Sequence, residues 1–187
     1  LLEKAAMGAT AKERVKAQLD LAEIYVGPLS SEERAFETLS DAFAEDPTHP
    51  VVLARLVDAG RAEARRAELI SALSAPLQDD SAGNATRRVA TALAETLELV
   101  GRFDDALRAC KRYQVPAWTA IVIRLLRRLA RYEELASALE KAAQQPRNTQ
   151  IREQRLELAS LYTTHLQMEE SAIAVYSQIL DQDPGCT

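Results

Sequence analysis

The 187 residues predict an all-α protein, a right-handed α-solenoid of about five stacked antiparallel helix pairs, and three observations carry that prediction. Apolar residues make up 47% of the chain but aromatics only 5%, so apolar surface comes mainly from Ala and Leu, both strong helix formers. No run of Val, Ile, Thr or aromatic residues alternates with period two, which leaves no strand from which to build a sheet. Finally, one short pattern of apolar residues stands near both ends of the chain and returns in altered form between them.

The pattern is Leu-Ala-x-x-Tyr. Leu21-Ala22-Glu23-Ile24-Tyr25 is followed by Ala35, Leu39, Ala42 and Pro47, and Leu158-Ala159-Ser160-Leu161-Tyr162 by Ala172, Tyr176, Ile179 and Pro184. The Leu-to-Pro spacing is the same in both copies, 47 − 21 = 26 and 184 − 158 = 26. The copies lie 158 − 21 = 137 residues apart, close to four periods of about 34 residues. Three units are therefore expected between them.

In chain order the expected units run over residues 12–47, 50–80, 84–115, 117–146 and 150–184, with residues 1–9 as the tail of a preceding unit. The second is degenerate: Gly60 stands where an aromatic belongs if Leu56 is aligned, and aligning on Gly60 instead shifts the register by several residues. The third is clear, with Leu93, Ala94 and Leu97 before Gly101-Arg102-Phe103-Asp104-Asp105-Ala106-Leu107, then Cys110 and Tyr113. The fourth places Ile123 and Leu126 before Ala130-Arg131-Tyr132, then Leu135, Leu139 and Ala142. Apolar residues at three- and four-residue steps, such as Leu53, Leu56 and Val57 or Leu156, Ala159 and Tyr162, make one stripe per helix, which pairing and stacking would bury. Tyr25, Leu97, Leu126 and Tyr162 are the expected wedges between helices, and Ala22, Ala94 and Ala159 the points of close approach. Ser30-x-x-Glu33 has capping-box spacing, and Pro47, Pro116, Pro146 and Pro184 are expected just past helix ends. Leu1-Leu2-Glu3-Lys4-Ala5-Ala6 matches the helix ending Leu139-Glu140-Lys141-Ala142-Ala143, so the chain reads as an internal fragment of a longer array.

These landmarks resemble the tetratricopeptide repeat (TPR) family, whose pattern joins a Leu-Gly/Ala-x-x-Tyr helix through a Gly-x-Tyr/Phe-x-x-Ala turn to a second helix and a closing Pro. The chain departs from it by one extra residue in the turns after Tyr25 and Tyr162 and by a long loop from Ala75 to Asn84. The resemblance implies a non-catalytic scaffold whose first helices line a concave groove for a partner peptide or helix. One subclass grips acidic chaperone tails with Lys and Asn. Leu19 and Glu23 occupy those positions here and would not hold a carboxylate.

Net charge of −5 argues against a nucleic-acid partner, and no apolar run reaches the roughly 18 residues of a membrane span. Cys110 and Cys186 are too few for a disulfide framework or a zinc site, which suits a reduced, cytoplasmic setting. The excess of Arg over Lys suggests a bacterial source. No catalytic constellation, metal site or cofactor is expected. His49 and His165 read as exposed turn residues, far apart. Asp79-Asp80-Ser81-Ala82-Gly83-Asn84 looks superficially like a calcium loop, but Gly83 is misplaced and Ala90 stands where the bidentate Glu belongs. Asn84-Ala85-Thr86 reads as an ordinary surface triplet.

The strongest functional candidate is the stripe Arg124, Arg127, Arg128 and Arg131, whose spacings of three, four and seven place them on one helix face. Guanidinium forks there would take carboxylates or phosphates. Together with Arg88, Glu95 and Glu98 of the preceding unit, Arg124, Arg127 and Arg128 form the expected partner-binding groove. The bland alternative is a ladder in which Glu95 and Glu98 pair with Arg124 and Arg127, leaving a structural spacer or self-associating array.

Overall fold

The computed structural model describes residues 10–78, 83–145 and 150–182. Within them the chain is all-α, with ten α-helices and no strand. It divides into two compact units, one ending at Arg102 and the other beginning at Phe103. The tail at residues 1–9, most of the calcium-like loop, Pro146 and Pro184 lie outside the described residues.

The first unit holds α1 (Ala11–Val26), α2 (Glu32–Glu45), α3 (Pro50–Ala59), α4 (Arg66–Ser74) and α5 (Asn84–Leu99), with single 3-10 turns at Glu63–Arg65 and Ala75–Gln78. Helix α1 begins at a capping box: Thr10 Oγ1 accepts from Glu13 N–H at 3.4 Å, and Glu13 Oε2 accepts from Thr10 N–H at 2.8 Å. Helix α2 packs on α1 and α3 through Ala35, Phe36, Leu39, Ala42 and Phe43, all buried at the three- and four-residue steps of one helix face. Asp46 turns the chain into α3, its Oδ1 accepting from Thr48 Oγ1–H at 2.6 Å and Thr48 N–H at 3.0 Å. These bonds, the hydroxyl's first, hold the Asp46 carboxyl below the usual range.

Gly60 marks a close approach in the degenerate unit. It ends α3, and a Cβ there would meet Leu69 Cδ2 at 2.8 Å and Phe36 Cε2 at 3.0 Å, so only glycine lets α4 come down onto α2. Its φ of −89° directly after the helix matches Val100 and Leu129, so Gly60 stands one residue before the left-handed place that Gly101 and Ala130 hold in their turns.

The second unit holds α6 (Phe103–Arg112), α7 (Ala120–Arg128), α8 (Tyr132–Ala143), α9 (Ile151–Thr164) and α10 (Glu169–Gln182), each packed on the next. Its core is aliphatic: Ile121, Val122, Leu125 and Leu126 from α7, Leu135, Ala138 and Leu139 from α8, and Leu158, Ala159 and Leu161 from α9 are all buried. Cys110 is buried on the apolar side of α6.

The extra residue in two turns has a shared geometry. Ser30 (φ 45°) and Gln167 (φ 54°) stand at the same offset from Tyr25 and Tyr162, and the following amides of Ser31 and Met168 donate to the Tyr25 and Tyr162 carbonyls at 2.8 Å. In the shorter turns Gly101 (φ 77°) and Ala130 (φ 51°) take the left-handed position, and Arg102 N–H and Arg131 N–H return to Leu97 and Leu126 at 2.9 and 3.0 Å.

Four expectations are corrected. Ser30 does not cap α2; its left-handed φ makes it the closing residue of the turn, and Ser31, the residue before α2, makes no side-chain cap bond. Tyr25 is half-buried rather than enclosed, with the Arg34 guanidinium 6.0 Å from its ring centroid, whereas Leu97, Leu126 and Tyr162 are buried. Leu156 is 43% exposed because the α9 stripe runs through Leu158, Ala159, Leu161 and Tyr162 instead. Val52 and Leu56, with Leu53 and Val57 half-buried at their sides, form the α3 stripe.

Candidate functional site

Among the described residues each unit holds a sizeable open groove between two consecutive first helices, floored by the second helix between them. In the first unit, α1 ends at Gly27-Pro28 and α3 at Gly60, so both helices stop short over the start of α2. Small residues Ala22, Ala35, Ala59 and Ala62, with Val26 and Leu39, leave about 680 Å³ of largely apolar space. Ion pairs cross it or flank it: Arg55 with Glu23 and Arg65 with Glu32, each at 3.4 Å.

The second groove, about 620 Å³, lies among α7, α8 and α9 and is lined by Ile123, Arg124, Arg127, Leu139, Glu153 and Glu157, with Trp118 at its edge. Its wall is more polar. Arg127 bridges it, with Nε donating to Glu157 Oε1 at 2.8 Å and Nη2 to Glu157 Oε2 at 2.9 Å. This bidentate fork, opposed by partial burial, holds the guanidinium more firmly protonated than a free arginine.

The structure brings together only part of the sequence-predicted stripe. Arg124 and Arg127 line the second groove, but Arg128 leaves it and sits 5.6 Å from the centroid of the Phe103 ring. Arg131 is not on that helix at all; it caps α8 and pairs with Asp104 at 3.0 Å and Glu134 at 3.4 Å. The expected partner of Arg127 is also corrected, since its fork is filled by Glu157 of the following helix pair. Arg88, Glu95 and Glu98 belong to α5 in the first unit: Arg88 donates to the Thr48 carbonyl at 3.4 Å, Glu95 is exposed and Glu98 half-buried. The first groove was not foreseen. Its signal was four alanines, one on each of α1, α2 and α3 and one just beyond α3, joined only by the fold.

Three other groups take defined places. His49 is not an exposed turn residue; it is half-buried and caps α3, its Nδ1 accepting from Val52 N–H at 3.4 Å. His165 is exposed and stacks on Tyr132, ring centroids 3.8 Å apart. Tyr162 donates its hydroxyl to Glu140 Oε1 at 2.5 Å, tying α9 to α8. Burial first, and then the Glu140 carboxylate, push its pKa up to about 12. Among the described residues no group of three His, Cys, Asp or Glu is placed to hold a metal ion, and no helix is long and apolar enough to cross a membrane.

No protein-family model matches the chain, and no curated protein matches it. Solved structures do. MamA protein is 12% identical with a TM-score of 0.57, covering 92% of this chain and 93% of that one. A putative kinesin light chain of Podosopora anserina with nearly identical TPR-like repeats is 16% identical with a TM-score of 0.52, covering 93% of this chain and 98% of that one. The fold of this chain is therefore the TPR-like helical-repeat fold.

Proposed function

We propose that the chain is a non-catalytic protein-interaction scaffold whose grooves receive peptide or helical segments of a partner protein. The observation that carries the reading is that each unit keeps a groove of more than 600 Å³ open between consecutive first helices, about 680 Å³ in one and 620 Å³ in the other. Such volumes lie in the range of binding clefts, roughly 300–1,000 Å³, and helix-in-groove recognition uses this kind of surface. The structural neighbours support a repeat scaffold and name no partner for this chain.

The alternative, an array whose arginines serve only its own stability, is favoured by one observation. The fork of Arg127 is filled by Glu157, so this arginine offers no open carboxylate site.

Two groove-edge substitutions decide between them. Val26→Asp and Trp118→Ser alter side chains that are 59% and 41% exposed, so folding should survive. Partners captured by the full chain should be lost with one or both variants while circular dichroism and melting stay unchanged. An unchanged partner set overturns groove binding. A triple Arg124/Arg127/Arg128→Glu variant that retains partners but melts lower assigns the stripe to structure.

A further inference from the structure

We infer that the first groove takes a basic amphipathic helix, its apolar ridge on the alanine floor and its Lys or Arg flanks on the groove's carboxylate rim. This rests on the groove-binding reading and names its partner class.

The floor fixes the apolar half. Val26 is 59% exposed at the edge, Ala62 is exposed and Ala59 half-buried, and beneath them lie buried Ala22, Ala35 and Leu39; the short alanine side chains leave space for aliphatic groups of an incoming ridge. An extended peptide would need polar partners for its backbone amides. A helix satisfies its own and needs only the apolar face.

The rim fixes the charge. In the crossing pair Arg55–Glu23 the guanidinium side chain is 44% exposed and the carboxylate side chain 72%; in Arg65–Glu32 the values are 20% and 77%. In both pairs the carboxylate is the more exposed partner. Asp58, 69% exposed at the side chain and paired at 3.3 Å with the 70% exposed Arg61, adds a third carboxylate to the lining. The wider field has the same sign: residues 1–102 carry 12 Lys and Arg against 17 Asp and Glu, a net of −5, whereas residues 103–187 carry 11 against 11. All of the chain's net charge therefore belongs to the unit that holds this groove, and a cationic helix is steered to it.

The test is fluorescence anisotropy on the full chain with labelled helical peptides of about 18 residues. One carries a Leu/Ala ridge with Lys flanks, one the same ridge with Glu flanks, and one Lys flanks with Ser in place of the ridge Leu. The Lys-flanked ridge should bind at least about tenfold more tightly than either other peptide. Glu23→Lys/Glu32→Lys/Asp58→Lys should reverse the charge preference, and Val26→Ser should weaken binding. Glu37→Lys/Asp41→Lys, which reverses exposed charges on α2 away from the groove lining, should leave it unchanged. Equal binding of Lys- and Glu-flanked ridges, or binding of the ridgeless peptide as tightly as the full one, overturns the inference but leaves groove binding standing. If no peptide binds and the partner set also survives both Val26→Asp and Trp118→Ser, both readings fall.

Discussion

Tyr25 and Tyr162 end the same five-residue motif and enter the same long turn, yet they finish in different surroundings. Tyr162 is 7% exposed and anchored to Glu140 on α8, while Tyr25 is half-buried with the Arg34 guanidinium 6.0 Å from its ring centroid. The motif thus dictates the turn, down to the left-handed Ser30 and Gln167. Enclosure of the Tyr162 ring draws on the helix before its own, through Glu140 on α8, as nearest-neighbour stabilisation requires.

The comparison breaks most visibly if the two rings are removed. Tyr162→Ala should cost about 3–5 kcal/mol by urea denaturation and Tyr25→Ala under about 1 kcal/mol. Equal losses would show that the motif, not the neighbour, sets the energy.

The second contrast lies between Gly60 and Gly101, each followed by Arg at a helix end. Gly60→Ala drives a Cβ to 2.8 Å from Leu69 Cδ2 and should cost about 1–3 kcal/mol by overpacking. Gly101→Ala meets nothing within 4 Å and should lose only the left-handed penalty of about 1–2 kcal/mol. A double-mutant cycle with Leu69→Ala separates the causes: coupling is expected for Gly60 and none for Gly101.

A third test concerns pH. The Tyr162 pKa rises from 10.0 to about 12 on folding, so its hydroxyl stays protonated in the folded chain when an unfolded tyrosine has begun to ionise. The resulting stability is complete below pH 10 and declines as pH climbs toward 12. Tyr162→Phe should flatten that alkaline decline and cost about 1 kcal/mol at neutral pH from the lost bond to Glu140.

The smallest effect sits at Ala130, which occupies in its turn the place Gly101 holds in the other, at φ 51°. Ala130→Gly should stabilise by at most about 1 kcal/mol, relief of the left-handed strain being offset by the freedom glycine adds to the unfolded chain.

The fold was legible where residues act locally. The motif copies, the lengthened turns and the buried alanines Ala22, Ala94 and Ala159 follow from spacing alone. The capping box was misplaced because Ser30-x-x-Glu33 and Thr10-x-x-Glu13 have the same spacing, and only the turn decides which hydroxyl faces a helix start. The groove was less legible. Helical periodicity puts Arg124, Arg127 and Arg128 near one another, but Arg127 has carboxylates on several helices to choose from, and helix packing gave it Glu157. Four alanines on separate elements carry no periodic signal until α1, α2 and α3 meet.

The Arg127–Glu157 fork also has a mechanical consequence. It ties α7 to α9 across the second groove by two parallel bonds, so it resists both spreading and sliding of those helices. A tie exposed to water slackens as ions screen it, with a screening length of about 10 Å at 0.1 M salt and about 3 Å at 1 M. Rising ionic strength should therefore loosen this strut, while the leucines and alanines beneath hold their positions.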